Sequence, residues 1–591
     1  MTSSRRTFGN RSARRTRRSV LRLRLSVLGI AFVLSLFAAR LFQLQGVDAS
    51  AYASMAQAEG TRTVTLHAAR GAILDRNGVP LASSTDAVAI TADPTLTSVH
   101  APSIAAVLAN RLHLDYFDTV AKLRTPNTRF VYLQRQVPSW RADAVLKDLS
   151  EHQLTGVFTE RDPLRTYPEA DVAATLVGLV GASGDGTSGL EQQYNSVLKG
   201  VDGQATYVTS PAGEHIPMAD STVQAAQDGT GIVTTIDRDL QWYADRRLAE
   251  AVRSTRSDWG AAVTIDVQTG QIYQFSQFPS FNPNRLEHLD VNDVTNRGIS
   301  YVYEPGSVEK LFTYSALADS GQVDPRTHIV VPGVYNVDGF AIQDDWSHGT
   351  IHLTATGALA KSSNIAAILA SQRVSKQTLA SYLHSFGLGS PTSVGLPGES
   401  GGILAAPSTW SDAQHATIAF GQGLSVTALQ MAAGIAAIAN GGEYVQPTLV
   451  SGYLQPDGSI QAAPGAERHR VISARAARMV ATMMTAVTQN GGTAPLAAIP
   501  GYRVAGKTGT AQRVDPTTGT YAAGQRTISF AGFAPADAPR FMTYVVLDNP
   551  KDGSFGGTGA APVFHDIMTM VLQRYGIPPT GAGPVKIPLQ W

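Results

Sequence analysis

Residues 25–44 limit the possible structures of this chain more than any other stretch does. An uncharged and mainly apolar run, Leu25 to Ala39, is followed by Arg40 and by four further residues ending at Leu44. As a helix, the 20 residues from 25 to 44 would be about 30 Å long, which matches the hydrocarbon core of a bilayer. The side chain of Arg40 can extend its charge to the interface. We therefore predict a transmembrane anchor over 25–44.

The charges in front of this run predict its orientation. Residues 1–24 hold nine arginines and no acidic residue, and basic flanks stay in the cytoplasm. The run lacks a clean small-x-small cleavage site before Arg40, so an uncleaved anchor is favoured over a signal peptide. The remaining 567 residues carry a formal net charge of −8, which argues against a protein that coats nucleic acid. We expect a basic cytoplasmic tail at 1–24 and nearly all of the chain outside.

Composition limits the chemistry and the number of domains. The chain has 591 residues, too many for one compact domain, and 43% of them are hydrophobic, enough to bury real cores. It contains no cysteine, which excludes disulfides, thiolate zinc sites, iron–sulfur clusters and a cysteine nucleophile. It also lacks a His-Glu-x-x-His motif, so we expect neither a metal nor another cofactor.

Residues 45–230 read as a mixed α/β region of short elements. Thr61–His67 alternates like a strand, and Asn77-Gly78 lies between two apolar pieces, which predicts a hairpin turn. A glycine-rich turn at Asp228–Gly231 suggests a boundary. We expect a pedestal domain at 45–230 and a second domain from 231.

Residues 231–576 combine helices with strands. Asp237 can cap a helix with apolar residues at every fourth position, and a last helix from Val563 to Tyr575 would end at Gly576. Strand-like runs fall in two groups far apart in the chain: Ala261–Ile265, Gln271–Phe275, Val504–Gln512, Thr527–Pro535 and Met542–Leu547. The pattern predicts an α+β fold, with a five-stranded, mostly antiparallel sheet flanked by helices and a helical subdomain inserted in the sheet. Residues 577–591 are expected to be a Pro- and Gly-rich tail.

The first motif with chemistry in it is Ser307-Val308-Glu309-Lys310, directly after Pro305-Gly306. These breakers place Ser307 in the first turn of a helix, where unpaired N–H groups favour a developing negative charge. Lys310 returns to the same face three residues later, and a buried neutral lysine can take the proton of a serine. The pattern is common by itself, and Ser196-Val197-Leu198-Lys199 repeats it.

Two further motifs follow in order. Lys361-Ser362-Ser363-Asn364 precedes an apolar helix; it could be a simple cap, or it could supply a hydroxyl (Ser362) and an amide (Asn364) to a site. Gly506-Lys507-Thr508-Gly509-Thr510 lies on a predicted strand, where glycines mark the close approach of another backbone. A peptide could add to this strand, with Thr508 and Thr510 reading its carboxylate and Lys507 supplying a fixed positive charge.

The three motifs in this order resemble those of the penicillin-recognising serine enzymes. Further segments make the resemblance closer, namely RGAILDRNGVPLA, RTYPEADVAATLVGLVG with GLEQQYN, TIDRDLQ, TGQIYQFSQFPSFNPN, NRGISYVYEPGS, AFGQGLSVTALQ and VAGKTGTAQ. From the anchor to about Gly576, the chain is similar to a class B penicillin-binding protein, a monofunctional peptidoglycan D,D-transpeptidase of bacteria. The short path from the anchor to RGAILDRNG resembles the septal, FtsI-like branch.

The resemblance implies a role for each motif residue. Ser307 would be the acylated nucleophile and Lys310 its base, with Ser362, Asn364 and Lys507 completing the catalytic set. Thr508, Gly509 and Thr510 would bind the substrate, and the N–H groups of Ser307 and Thr510 would form the oxyanion hole. Transpeptidation releases D-Ala from a stem pentapeptide and passes the acyl group to the amine of a neighbouring stem, whereas β-lactams stall the enzyme as an acyl-enzyme.

The resemblance also implies partners and a location. The protein would sit in the bacterial cytoplasmic membrane at the division septum, with an FtsW-like glycan polymerase and small bitopic division proteins as partners. One residue departs from the family: Glu309 stands where many relatives carry an apolar or aromatic residue. It lies about 100° around the helix from Lys310, which leaves two alternatives: Glu309 faces solvent, or it points inward and raises the pKa of Lys310.

Several alternatives remain open. An elongation-type transpeptidase and a D,D-carboxypeptidase would share these motifs. A serine β-lactamase is disfavoured, because no Glu-x-x-Leu-Asn segment lies between Asn364 and Lys507. A β-lactam-sensing receptor is disfavoured by a cytoplasmic tail of about 24 residues, which leaves no room for a signalling domain.

Overall fold

A computed structural model of the chain describes residues 12–47, 61–208, 222–287, 289–515, 517–581, 583 and 586–591. The strands in these ranges are β1 (Thr61–Leu66), β2 (Ile73–Leu74), β3 (Pro80–Thr85), β4 (Ala87–Ala92), β5 (Val131–Pro138), β6 (Val157–Arg161), β7 (Leu164–Thr166), β8 (Gly203–Val208), β9 (Thr222–Gln224), β10 (Gly231–Thr234), β11 (Trp259–Asp266), β12 (Ile272–Phe278), β13 (His328–Val331), β14 (Tyr335–Val337), β15 (Phe340–Ile342), β16 (Ile351–Thr354), β17 (Glu443–Val445), β18 (Val450–Leu454), β19 (Ile460–Ala462), β20 (Arg468–Arg470), β21 (Ala505–Val514), β22 (Tyr521–Ala534) and β23 (Phe541–Asp548).

The α-helices are α1 (Ser12–Phe42), α2 (Pro94–Thr97), α3 (Ala101–Leu112), α4 (Tyr116–Leu123), α5 (Ser139–Glu151), α6 (Ala174–Val177), α7 (Gly189–Gln193), α8 (Asn195–Leu198), α9 (Arg238–Thr255), α10 (Val291–Val294), α11 (Arg297–Ser300), α12 (Lys310–Asp319), α13 (Ala355–Ala360), α14 (Asn364–Ser371), α15 (Lys376–Ser385), α16 (Asp412–Ile418), α17 (Ala428–Ala439), α18 (Ala474–Thr485) and α19 (Ala561–Arg574). A 3₁₀ turn, Gly306–Val308, leads into α12.

The chain divides into two compact units. The first holds the described parts of Met1–His67, Ala87–Asp162 and Asp202–Ala226, and the second holds Ala68–Asp86, Pro163–Val201 and the described chain from Gln227 onward. The linear pedestal expected at 45–230 is therefore divided between the units. The reason is strand pairing, because β2, β3 and β7 join β10 and β18 in one sheet of the second unit. Ile73 pairs with Ile232 across a parallel junction, and the predicted Asn77-Gly78 turn joins β2 to β3.

The first unit contains two antiparallel sheets and the apolar N-terminal helix. Strands β5-β4-β6 pack with α3 and α5 around a core that includes Ile90, Leu108 and Val145. Strand β1, which pairs with β8, confirms the predicted strand at Thr61–His67. Residues 1–11 of the expected basic tail lie outside the described residues, and from Ser12 the chain is already helix α1. Val20–Gln45 is the one stretch among the described helices long and apolar enough to cross a membrane.

The second unit contains the predicted five-stranded sheet, in the order β12-β11-β23-β22-β21 with every neighbouring pair antiparallel. Its strands alternate between two buried faces. Val263 and Tyr544 belong to a core shared with the inserted helices, whereas Ala262 and Val545 face α9 and α19. Period-two side-chain direction thus gives each face its own apolar layer. The α+β fold predicted from the sequence is confirmed.

The insertion between β12 and β21 carries the helices α10 to α18 and closes against the sheet. Helix α17 packs on β11 and β23. Strand β21 is an edge strand of the central sheet, so one row of its backbone groups is free of strand pairing within the described residues. The expected tail ends in contact with the insertion: Gln590 bridges to Leu353 of β16, and the Trp591 ring stacks on His328 at 4.1 Å.

Candidate active site

The turn that carries Ser307 depends on the glycine before it. Gly306 has a φ of +56°, and its N–H donates to the carbonyl of Gly421 at 3.0 Å. A Cβ at this position would lie 2.7 Å from the carbonyl oxygen of Thr510 on β21. Glycine therefore serves both the left-handed backbone and the close approach of the turn to the sheet edge. Ser307 is placed beside β21, with 7% of its surface exposed.

The Lys310 side chain is fully buried, and three acceptors lie within 3 Å of its amine. Its Nζ donates to Ser307 Oγ at 2.9 Å, to the Ser362 carbonyl at 2.7 Å and to Asn364 Oδ1 at 2.7 Å. The predicted return of Lys310 to the face of Ser307, three residues later, is thus observed. Once one of its protons has left, the amine can accept the proton of the Ser307 hydroxyl.

Burial changes the proton affinity of this amine. Desolvation lowers the pKa of Lys310 to about 8, against the opposing charges of Asp344, Asp345 and Glu309, which raise it. At that pKa, roughly a tenth of the amine is free at pH 7. The site can therefore supply a neutral base at physiological pH without a histidine.

The repeated Ser-x-x-Lys pattern at Ser196–Lys199 has a different environment. Its serine lies in the short helix α8, and Lys199 is half exposed and pairs with Asp185 at 2.7 Å. The amine of Lys199 thus donates to a carboxylate, whereas the amine of Lys310 donates to a serine hydroxyl. Burial, rather than spacing, separates the two copies of the pattern.

The second motif bends sharply between α13 and α14. Ser362 adopts a φ of +60°, and Ser363 caps α14 by accepting the N–H of Ala366 at 3.0 Å. The Ser362 hydroxyl accepts a hydrogen bond from Lys507 Nζ at 2.8 Å and lies 3.4 Å from Lys310 Nζ. It is therefore placed between the two lysines, where it can relay a proton.

Lys507 differs from its expected role as a fixed positive charge. It is fully buried, and its Nζ also donates to the Thr508 carbonyl at 2.9 Å. Desolvation, together with the charge of Lys310, lowers the pKa of Lys507 well below its ordinary value. Burial and the neighbouring Lys310 amine therefore oppose the fixed positive charge that we expected on Lys507.

The other residues of the third motif, Thr508, Gly509 and Thr510, have different surroundings. Thr510 lines the groove, whereas Thr508 is buried and shares a 2.8 Å hydrogen bond with Thr493, which sequence reasoning missed. A Cβ on Gly509 would lie 2.3 Å from Ser529 Oγ and 2.9 Å from Val308. Gly509 is thus the residue that lets β21 approach the Ser307 turn, as a glycine inside a strand suggests.

These segments border one groove of about 880 Å³. Thr510 and Arg526 of the sheet line it on one side, Asn364 of α14 and Asp345 of the loop after β15 line it as well, and Ser307 belongs to the same lining. An extended peptide could lie along the free edge of β21, in the groove that Ser307 also lines.

Glu309 points inward instead of facing solvent, and its charge raises the pKa of Lys310. It is fully buried, and Thr313 Oγ1 donates to its Oε1 at 2.9 Å. Desolvation raises the pKa of Glu309 to about 8. The turn 306–308 and helix α12 are buried on all sides, so a rotation of 100° leads from one buried face to another instead of to water.

Sequence reasoning also missed Asp344, which belongs to no motif. It is buried in the loop after β15, 20 residues before Asn364, and accepts the N–H of Asn364 at 2.5 Å and the hydroxyl of Ser363 at 2.6 Å. The spacing of residues along the sequence does not predict this contact, because it depends on how the loop after β15 packs against α14.

Comparisons with known proteins agree with this geometry. The family model of the penicillin-binding protein transpeptidase domain matches residues 260–569, and that of the penicillin-binding protein dimerisation domain matches residues 65–234. Penicillin-binding protein PbpB of Mycolicibacterium smegmatis is 36% identical over 594 residues, which cover 95% of this chain and 91% of that protein. The peptidoglycan D,D-transpeptidase FtsI of Escherichia coli is 34% identical over 563 residues, 94% of this chain and 91% of that protein.

Solved structures show the same likeness. The crystal structure of penicillin-binding protein 3 of Mycobacterium tuberculosis in complex with aztreonam superposes with a TM-score of 0.70 and 32% identity, covering 89% of this chain and all of that chain. We conclude that the chain belongs to the class B penicillin-binding proteins, in which a dimerisation domain precedes a transpeptidase domain.

Proposed function

We propose that this protein is a serine D,D-transpeptidase of peptidoglycan, with Ser307 as the nucleophile and Lys310 as its base. The observation that carries the proposal is the 2.9 Å contact between Lys310 Nζ and Ser307 Oγ, with the amine buried and the hydroxyl opening onto a groove beside a free strand edge. The relatives named D,D-transpeptidase and the neighbour solved with aztreonam support it.

In the first stage, Ser307 Oγ attacks the carbonyl of the penultimate D-Ala of a stem peptide while Lys310 takes the hydroxyl proton. The N–H groups of Ser307 and Thr510 stabilise the oxyanion. The peptide C–N bond then breaks, and Ser362 passes a proton to the amine of the departing D-Ala. The product is an ester between the stem peptide and Ser307.

In the second stage, the amine of a neighbouring stem attacks this ester. A new C–N bond forms, the ester C–O bond breaks and Ser307 regains its proton. A β-lactam follows the first stage only, because ring opening leaves its amine tethered in the site. We therefore expect β-lactams to acylate Ser307.

Labelling with a fluorescent penicillin tests the nucleophile. The full-length wild type in detergent should be labelled on Ser307, as located by mass mapping, and Ser307→Ala should lose the label. Ser196→Ala, in the repeated pattern, is the matched control and should be labelled like the wild type. Label retained by Ser307→Ala would remove the assignment.

A pentapeptide donor, assayed with and without an amine acceptor, tests the type of reaction. Crosslinked product that depends on the acceptor supports the transpeptidase. Release of free tetrapeptide alone would show a carboxypeptidase, and stable acylation without any turnover would show a receptor.

We further propose that the protein acts at the division septum, anchored through 25–44 with residues 1–24 in the cytoplasm. Support comes from the match to FtsI along 91% of that protein and from the arginines in front of the span. An FtsW-like polymerase and small bitopic proteins would be its partners. In this proposal the domains along the sequence are the pedestal over 45–230, of which 68–86 and 163–201 belong to the second compact unit, the transpeptidase domain over 231–576 and the tail over 577–591. Depletion should give filaments; rounded cells would instead indicate the elongation role.

A further inference from the structure

Asp344 belongs to none of the three motifs, yet its carboxylate accepts three hydrogen bonds from the segment that carries Asn364. Its Oδ1 accepts the N–H groups of Asn364 at 2.5 Å and Ile365 at 3.0 Å, and its Oδ2 accepts the Ser363 hydroxyl at 2.6 Å. No part of its side chain is exposed. A buried carboxylate with this many donors is held rigidly in one orientation.

These contacts complete the first turn of α14. The opening N–H groups of a helix have no partner inside it. Asp344 takes two of them and Ser363 takes that of Ala366, so the backbone that carries Asn364 is held from both sides. Asn364 Oδ1 and the Ser362 carbonyl then meet Lys310 Nζ, each at 2.7 Å. A continuous series of hydrogen bonds leads from Asp344 through Asn364 and Lys310 to Ser307.

A second buried side chain holds Asp344 from behind. His348 Nε2 lies 3.0 Å from Asp344 Oδ2, and its Nδ1 lies 2.5 Å from the carbonyl oxygen of Gly349. Only 6% of the His348 side chain is exposed. When Nε2 carries a proton, the imidazole donates it to the carboxylate of Asp344 and fixes the orientation of that group.

We propose that Asp344, oriented by His348, is a positioning residue for the acylation of Ser307: by binding residues 363–365 it keeps Asn364 and the Ser362 carbonyl where they hold the Lys310 amine against the nucleophile. The inference rests on the proposed function in one respect, namely that Lys310 takes the proton of Ser307.

The charge of Asp344 adds a second, measurable effect. The ionisable groups around Lys310 are Glu309 on its own segment, Asp344 and Asp345 from the loop after β15, and Lys507 from β21. His348 and the buried phenol of Tyr314 also lie near Asp344. Asp344 raises the pKa of Lys310 against burial. Removing its charge should lower that pKa further, so the amine would become free at a lower pH.

The test is the second-order rate of acylation by a fluorescent penicillin, measured on full-length protein between about pH 5 and pH 9. In the wild type the rate should rise through the pKa of Lys310 and then level off. Asp344→Asn should lower the plateau about 10- to 100-fold, because the amine is no longer well placed, and should move the acidic limb to lower pH. His348→Gln keeps an N–H donor and should lie nearer to the wild type than His348→Ala.

Two matched variants separate position from charge. Asp345→Asn removes a neighbouring charge that makes no hydrogen bond to the first turn of α14 in the described residues; it should move the limb with a smaller loss of plateau. Asp319→Asn, at the far end of α12, should change neither.

Three outcomes decide the inference. A wild-type plateau in Asp344→Asn would overturn it. Identical profiles for Asp344→Asn and Asp345→Asn would also overturn it, because Asp344 would then act through its charge alone. Label on Ser307→Ala would instead overturn the proposed function. If Asp344→Ala does not fold, Asp344→Asn and His348→Gln, checked by their melting temperatures, still decide.

Discussion

Burial determines the chemistry of the ionisable side chains around Ser307. Lys310, Lys507 and Glu309 are all fully buried, and desolvation shifts the pKa of each toward its neutral form. In the proposed mechanism Lys310 accepts a proton from Ser307, and a lowered pKa favours the neutral amine that this step needs. The carboxyl group of Glu309 makes no hydrogen bond to either lysine in the described residues; its partner is the hydroxyl of Thr313, one turn further along the same helix. Its burial should therefore appear in stability more than in catalysis.

Glu309→Gln should change how stability depends on pH. The pKa of Glu309 is raised to about 8 in the folded protein, so the protonated carboxyl favours folding fully below the unfolded pKa of about 4.5. This contribution is lost as the pH rises toward 8, at up to ~1.4 kcal/mol per pH unit. The variant should be as stable as the wild type near pH 4.5 and more stable by a few kcal/mol near pH 8, as measured by urea unfolding.

Glu250→Gln, on the exposed face of α9, is the control for this prediction and should leave the pH dependence of unfolding unchanged. A parallel loss of stability with pH in Glu309→Gln and the wild type would show that Glu309 is not the group responsible.

At the scale of elements, the site exists where the 3₁₀ turn before α12 touches the edge strand β21. Two glycines make this contact possible: Gly306 meets the Thr510 carbonyl, and Gly509 meets Val308. Each would bring a Cβ closer than 3.0 Å to an atom of the other element. The spacing of turn and strand is therefore set by the absence of side chains.

Gly509→Ala should separate the turn from the strand and slow acylation by about 100-fold, because Ser307 would be misplaced relative to the groove. Overpacking should also cost about 1–3 kcal/mol of stability. The measurements are the acylation rate with a fluorescent penicillin and urea unfolding. Gly465→Ala, where an added Cβ meets no atom within 4 Å, is the control. A wild-type acylation rate in Gly509→Ala would contradict this account of the contact.

At the scale of the whole molecule, contacts distant in sequence assemble the second unit. Glu191 is fully buried and accepts hydrogen bonds from Arg70 Nε at 2.5 Å and Arg165 Nε at 2.7 Å. The three residues come from segments that lie outside the transpeptidase match at 260–569, yet they belong to the same compact unit as that domain. The buried ion cluster thus joins two N-terminal segments of the second unit, 68–86 and 163–201, to each other.

Glu191→Ala should destabilise the second unit by about 3–5 kcal/mol, because it leaves two buried guanidinium groups without their carboxylate. The loss is measured as a lower urea midpoint, with penicillin labelling as the probe of the folded unit. Asp171→Ala removes the carboxylate of an exposed pair with Arg246 and should cost less than about 1 kcal/mol. Equal costs for the two variants would show that the Glu191 cluster contributes no more than a surface pair.

The sequence by itself determined what depends on near neighbours. Helical spacing placed Lys310 over Ser307, alternation and turn residues located the five strands and the β2–β3 hairpin, and unbroken apolarity located the helix that can span a membrane. These inferences hold because backbone geometry repeats over two to four residues, so the pattern is visible in a short window.

Only the tertiary structure decided what depends on surroundings. It brought Ser362 to Lys507, which is 145 positions away, buried Glu309 instead of exposing it, and divided the linear pedestal between two units. It also placed Asp344 on α14 and lowered the pKa of Lys310. Desolvation and long-range pairing are properties of the packed neighbourhood, and the same Ser-x-x-Lys letters with an exposed lysine at Ser196–Lys199 make no active site.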